Sequence, residues 1–209
     1  MKKYFTRIIF PFLILALIPF YGVKSQQVIE ITGDGSDATH DMIPVCGMWF
    51  GELQKSQIIY PAVKLTALQG KKITKITLFT NQGNNNKWKN NIHIRMASTT
   101  QNDLESGWFI GSKTEVFVGK LLINSNNELN IVLSTPFFYT GDNLLIEFDL
   151  PNNINLDSES VYFQGTTEAT YVSRQVSGQI EYNGLGTAFD FLPKMRVEYA
   201  DEACPPIIN

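Results

Sequence analysis

Histidine and cysteine are nearly absent: His40, His93, Cys46 and Cys204 are the whole supply in 209 residues. No Cys/His spacing suits a zinc site. Neither histidine stands near a Gly-x-Ser-x-Gly elbow or a cysteine in a reactive setting, so no nucleophile triad can be assembled. Two cysteines can close one long loop in an oxidising compartment, but they make no disulfide framework. A Cys46–Cys204 bridge stays open beside a buried Cys46 with Cys204 in a tail. Cys46 follows Pro44-Val45, and apolar burial raises a thiol pKa rather than activating it.

Helical patterning is missing as well. Beyond residue 25 no stretch offers an apolar face at helical spacing over three turns, and only Ala62-Val63-Lys64-Leu65-Thr66-Ala67-Leu68 suits a helical turn. Basic runs are absent from the same region apart from Lys71-Lys72, which argues against a phosphate-backbone partner and excludes nucleic acid.

The first 25 residues differ in kind from the rest. Lys2, Lys3 and Arg7 precede an uncharged, mostly apolar run from residue 8 to 23, and Val23-Lys24-Ser25 places small or medium side chains where a signal peptidase cuts, before Gln26. The run falls short of the roughly 20 apolar residues that span a bilayer and carries Pro11 and Pro19, so no stable membrane insertion is expected after cleavage. No cysteine follows it closely, which argues against a lipid anchor. Removing its four basic residues from the 17 leaves 13 against 20 acidic ones, a net charge of −7. Residues 26–200 are long enough for one sizeable core and short for two, and residues 201–209 form a tail or the start of a linker.

What is abundant is period-two alternation. Residues 28–32, 73–80, 92–98, 114–118, 128–133, 143–149 and 194–199 alternate apolar with polar side chains or fill with β-branched and aromatic ones, predicting strands. In the sixth, Leu144, Ile146 and Phe148 share the expected core face, while Leu145, Glu147 and Asp149 share the expected wet one. Clusters of Asn, Asp and Gly, such as Gly33-Asp34-Gly35-Ser36 and Gly141-Asp142-Asn143, punctuate the strands as turns. Many short strands with regular turns predict an all-β protein, a jelly-roll-like antiparallel β-sandwich.

Several short motifs occur in a characteristic order: Ile43-Pro44-Val45-Cys46-Gly47, Lys55-Ser56-Gln57-Ile58-Ile59-Tyr60-Pro61-Ala62, Lys72-Ile73-Thr74-Lys75-Ile76, Ile94-Arg95-Met96-Ala97-Ser98-Thr99, and Ser134-Thr135-Pro136-Phe137-Phe138-Tyr139 leading into Asn143-Leu144-Leu145-Ile146-Glu147-Phe148. In them the chain resembles the β-sandwich modules of secreted Bacteroidota surface proteins, the cleaved-adhesin-like domains of gingipains and haemagglutinins, over roughly residues 31–199. The resemblance implies a noncatalytic module of an adhesin or one beside the catalytic domain of a secreted hydrolase. Such proteins often carry a C-terminal sorting domain. None is recognisable before Asn209, which leaves secreted, cell-surface and periplasmic destinations open.

Three places invite a chemical reading. Glu147-Phe148-Asp149 puts two acids on one strand face, as a jelly-roll glycosidase requires, but the glucanase spacing Glu-x-Asp-x-x-Glu needs an acid where Asn152 follows Pro151. The pair therefore reads as two solvated acids and the chain as no enzyme. Asp34, Asp37 and Asp41 lie in a Gly-containing stretch with two hydroxyls, hard donors that suit a structural Ca²⁺, although the spacing is not that of an EF-hand and Asp-Gly also makes ordinary turns. Trp88 stands among Asn86, Asn90 and other polar residues, where an exposed ring flanked by amides would stack on a pyranose or meet a protein partner. Trp108 and the pair Trp49-Phe50 read as core or loop anchors. The expected function is an exported binding or adhesion module for a glycan or an extracellular protein. A small secreted glycoside hydrolase and a structural spacer are the alternatives.

Overall fold

The computed structural model describes residues 26–45, 53–81, 88–151, 161–178 and 184–201. The signal segment, Cys46, Trp49, Phe50, Asn86 and Cys204 lie outside the described residues, and with them the readings placed on those positions.

The strands are β1 Gln27–Ile31, β2 Ser36–His40, β3 Gln54–Tyr60, β4 Lys71–Phe79, β5 Ile92–Thr99, β6 Thr114–Gly119, β7 Glu128–Tyr139, β8 Asn143–Leu150, β9 Phe163–Thr167, β10 Ser173–Ser177, β11 Thr187–Phe189, β12 Phe191–Pro193 and β13 Met195–Asp201. All seven expected strands are present, six of them within about two residues of the expected bounds. The expected helical turn resolves into two 3₁₀ turns, Ala62–Lys64 and Thr66–Leu68, which follow extended Pro61 and bury Leu68. Among the described residues no helix is long and apolar enough to cross a membrane.

Pairing is antiparallel throughout, in sheets ordered β1-β13-β4-β7, β11-β10-β3-β8-β5-β6 and β12-β9-β2. A single bridge, Thr80 to Phe163, joins the end of β4 to β9. Alternation decides which residues meet between the sheets: Met195, Val197 and Tyr199 of β13 are buried while Arg196 and Glu198 are only partly covered. Ile58, Ile76, Ile94, Ile131, Ile146, Phe163 and Val197 come from all parts of the chain into one buried cluster. Each contributes about 1.5–3 kcal/mol by leaving water. The protein is an all-β, jelly-roll-like antiparallel sandwich.

β7 continues six residues past the expected end, through Pro136 to Tyr139. It is an edge strand, and its register against β4 shifts between Ile73 and Lys75, so Pro136 sits in a stretch that pairs with no β4 residue. A proline without an N–H is tolerated at such a place.

The second face of β8 is not wet. Leu145 is fully buried with Ile59, Ala97 and Leu104, and Phe109 packs against them. Leu104 and Phe109 belong to the strap, residues 100–113, that joins β5 to β6 and crosses the outer face of the six-stranded sheet. Glu147, expected as a solvated acid, is 2 % exposed beneath it.

Candidate functional site

The strap is held by side chains that bond its backbone. The Gln57 side chain donates from Nε2 to the Phe109 carbonyl at 3.0 Å and accepts the Phe109 N–H at Oε1 at 2.7 Å. Arg174 of β10, 2 % exposed, donates to the carbonyls of Leu104 (2.8 Å) and Glu105 (2.6 Å) on the strap and of Leu185 (2.6 Å) and Gly186 (3.0 Å) on the turn before β11. Burial works against its charge and lowers its pKa. Four carbonyl dipoles offset that cost in place of a carboxylate, and one guanidinium thereby fixes two loops against each other.

On the strap lies a cleft of about 410 Å³ lined by Gln101, Asp103, Ser106, Gly107 and Trp108. The half-buried Trp108 ring is set by its Nε1–H, which donates to the Gly184 carbonyl at 3.0 Å, and by Lys55 Nζ, 5.0 Å from the ring centroid. Gln101 donates from Nε2 to the Asp103 carbonyl at 2.6 Å, and the Asp103 carboxylate accepts the Glu105 N–H at 3.0 Å. Ile110 on the strap and Leu185 on the turn before β11 are exposed, at 95 % and 69 %, as is Tyr171 between β9 and β10, at 44 %. A positioned indole with an amide, a carboxylate and a hydroxyl beside it can take a ring that presents an apolar face and hydroxyl edges.

The acid pair of β8 lies under the strap in an ion network. Arg95 Nη1 donates to Glu147 Oε1 at 2.9 Å and Asp149 Oδ2 at 2.8 Å, and Glu147 Oε2 accepts from Lys113 at 2.6 Å and from Gln57 at 2.7 Å. Burial pushes the Glu147 carboxyl up, but the hydrogen bonds from Lys113, Gln57 and Arg95 outweigh it and hold it below the ordinary Glu value. A glycosidase acid needs the opposite, a carboxyl kept protonated by its surroundings. His93, on the partly covered face of β5, contacts Glu115 at 2.8 Å beside this network.

Trp88 requires a correction. Its ring is 1 % exposed and stacks on Phe163 with centroids 6.5 Å apart, so it forms part of the core and presents no plate to solvent. Its polar neighbours suggested exposure, but the ring reaches a β9 side chain far away in sequence. Asn90 follows two residues later and is half-buried.

The three aspartates are also dispersed. Residues 36–40 form β2 rather than a loop, and a strand rises about 3.3 Å per residue, so Asp37 and the end of β2 just before Asp41 stand about 10 Å apart. The Asp34 carboxylate pairs with Lys64, and Asp41 lies 3.8 Å from His40 Nδ1. The Asp34 and Gly35 N–H groups donate to Glu168 at 3.4 Å each, so this turn faces an anion. At Gly35 a Cβ would lie 1.5 Å from the Thr167 carbonyl oxygen, which explains the glycine by close backbone approach. Among the described residues no three His, Cys, Asp or Glu side chains gather as a metal site.

A second concavity, about 440 Å³, lies on β2 and β9 and includes Asp37, Thr39, Asn81, Gln164, Thr166 and Lys194 in its lining. The sequence reading found one of its residues, Asp37. It missed the Trp108 cleft, whose signal was the Gly107 and Gly111 flanking an aromatic pair. Comparison with protein-family models, curated proteins and solved structures found no match to this chain.

Proposed function

We propose that the protein is an exported, noncatalytic binding module that takes a glycan at the Trp108 cleft, as an adhesin-type module does. The observation that carries this reading is the placing of Trp108. Its ring is oriented by Gly184, lies in a cleft with Gln101, Asp103 and Ser106, and stands on loops that Arg174 ties to the sheet. An aromatic plate contributes stacking at little entropic cost, and neighbouring amides, carboxylates and hydroxyls select the hydroxyl pattern. Noncatalytic binding is favoured over glycoside hydrolysis because the cleft lining contains one carboxylate, Asp103, and the β8 pair is tied up by Arg95 and Lys113. Export is the role of the leader-like first 25 residues.

A glycan array probed with the wild type and with Trp108→Ala tests the reading. Binding of the wild type to one class of glycan, lost in the variant while circular dichroism stays β-rich, is the expected result. An array with no wild-type signal, or a signal unchanged by the substitution, overturns it.

A further inference from the structure

We propose that the groove on β2 and β9 is a second contact site for a neutral oligosaccharide, which makes the module bivalent. The inference rests on the glycan reading for the class of ligand, but the groove is a separate place on the molecule.

The groove is built on paired strands. Asp37 lies opposite Thr166 and Thr39 opposite Gln164 in the β2–β9 register, so their four side chains form one patch on a single face. Phe163 and Gly165 alternate with Gln164 and Thr166 along β9, and Phe163 is buried in the central cluster, so the patch faces away from the core. The Trp108 cleft belongs to the strap, which lies across the outer face of the six-stranded sheet. The two sites are thus carried by different sheets. Tyr162, 37 % exposed, precedes β9 in step with Gln164 and Thr166 and stands at the end of the patch, where its carbonyl accepts the Asn81 N–H at 2.9 Å.

The hydrogen-bonding capacity left over in this groove defines what it can hold. Gln164 spends one amide N–H on the Thr80 carbonyl at 2.9 Å, which leaves Oε1 as an acceptor and the second N–H as a donor. Lys194 pairs with Glu30 at 2.7 Å, so its charge is offset. Asp37 and Asn81 are exposed, and among the described residues neither side chain has a partner. The lining offers acceptors and donors together, and its one carboxylate, Asp37, has no ion pair, whereas its one ammonium, Lys194, already faces Glu30. Such a surface repels phosphates, sulfates and uronic acids and favours a ligand that brings many O–H donors without charge. A neutral polyhydroxylated chain has that chemistry. At about 440 Å³ the groove is within the range of small-molecule clefts, roughly 300–1,000 Å³. Two weak sites on different sheets can both engage a glycan-coated surface and gain affinity by multivalency.

The test is a titration of the ¹⁵N-labelled protein with maltohexaose, mannohexaose and chitohexaose, followed by amide chemical shifts, on the wild type and on Asp37→Ala/Asn81→Ala. Both substituted side chains are exposed, so the fold is expected to persist, and a matching β-rich melt checks it. Expected are shifts at Asp37, Thr39, Gln164 and Thr166 with at least one hexasaccharide, weakened tenfold or more in the double variant. No groove shifts with any of the three, or shifts that the double variant leaves unaltered, overturn the proposal. Groove shifts without shifts at Gln101, Asp103 or Trp108 uphold the groove and refute the Trp108 reading, whereas cleft shifts alone do the reverse.

Discussion

Replacing Trp88 by alanine separates the core from the binding surface. The ring is 1 % exposed and lies on Phe163, which is itself fully buried. Large aromatic to alanine changes in a core cost about 3–5 kcal/mol, through lost transfer energy and the cavity left behind. The stacked Phe163 accounts for about 0.5–1.5 kcal/mol of aromatic pairing within that figure. For a domain of 150–250 residues each kcal/mol shifts Tm by about 2–4 °C, so the variant should melt about 6–20 °C lower. Differential scanning calorimetry and urea unfolding of the wild type and Trp88→Ala measure this, with binding assayed below both transitions. A Tm within 2 °C or so of the wild type, or affinity lost without a stability change, refutes the structural role.

Other substitutions probe the strap and its network. Arg174→Lys keeps the charge but cannot reach four carbonyls in two loops; it should cost about 2–4 kcal/mol and speed hydrogen exchange at the Leu104 amide, which donates to the Tyr171 carbonyl at 2.7 Å. Glu147 has its folded pKa held below the ordinary Glu value of 4.5, so its contribution is fully present above that pH and is lost as pH falls through the lowered folded value. Stability of the wild type should therefore fall more steeply with acid below pH 4.5 than that of Glu147→Gln, which should be less stable by up to about 3–5 kcal/mol at neutral pH because Lys113 loses its carboxylate and Arg95 keeps only Asp149 at hydrogen-bond distance. Equal acid slopes in denaturant titrations would contradict this.

How much of the molecule was legible in its sequence depended on where the covering groups came from. β13 and β5 bury one face against the core and leave the other partly covered, so Met195, Val197 and Tyr199, or Ile92, Ile94 and Met96, announce themselves by alternation. β9 and β10 read Phe-Gln-Gly-Thr-Thr and Ser-Arg-Gln-Val-Ser and escaped that test because several of their buried polar side chains have specific partners, and β2, Ser-Asp-Ala-Thr-His, escaped it because it is polar and mostly exposed. Ser173 donates to the Phe191 carbonyl at 2.8 Å, Thr166 to Glu168 at 2.6 Å, and Arg174 to the loops. A buried polar residue with a partner leaves no hydrophobic signal.

The outer face of β8 and the ring of Trp88 failed for a related reason. Leu145, Glu147 and Asp149 look solvent-facing from their own strand, and only the strap contributed by residues 100–113 covers them. Trp88 looks exposed from its neighbours and is buried by Phe163, 75 positions away. Local pattern fixes what a residue prefers, whereas long-range packing decides what it meets. Trp108 is the opposite case, an aromatic read as an anchor that keeps part of its ring in an open cleft.

The most direct measurement of the central claim is isothermal titration of the wild type and Trp108→Ala with the strongest glycan from the array, alongside their melting curves. Losing a half-exposed ring costs little folding energy, and losing a stacking contact costs about 1–3 kcal/mol of binding, about 5- to 150-fold in Kd. That weakening is expected with a Tm lower by only a few degrees. Unaltered Kd in Trp108→Ala, with the fold intact, would contradict it.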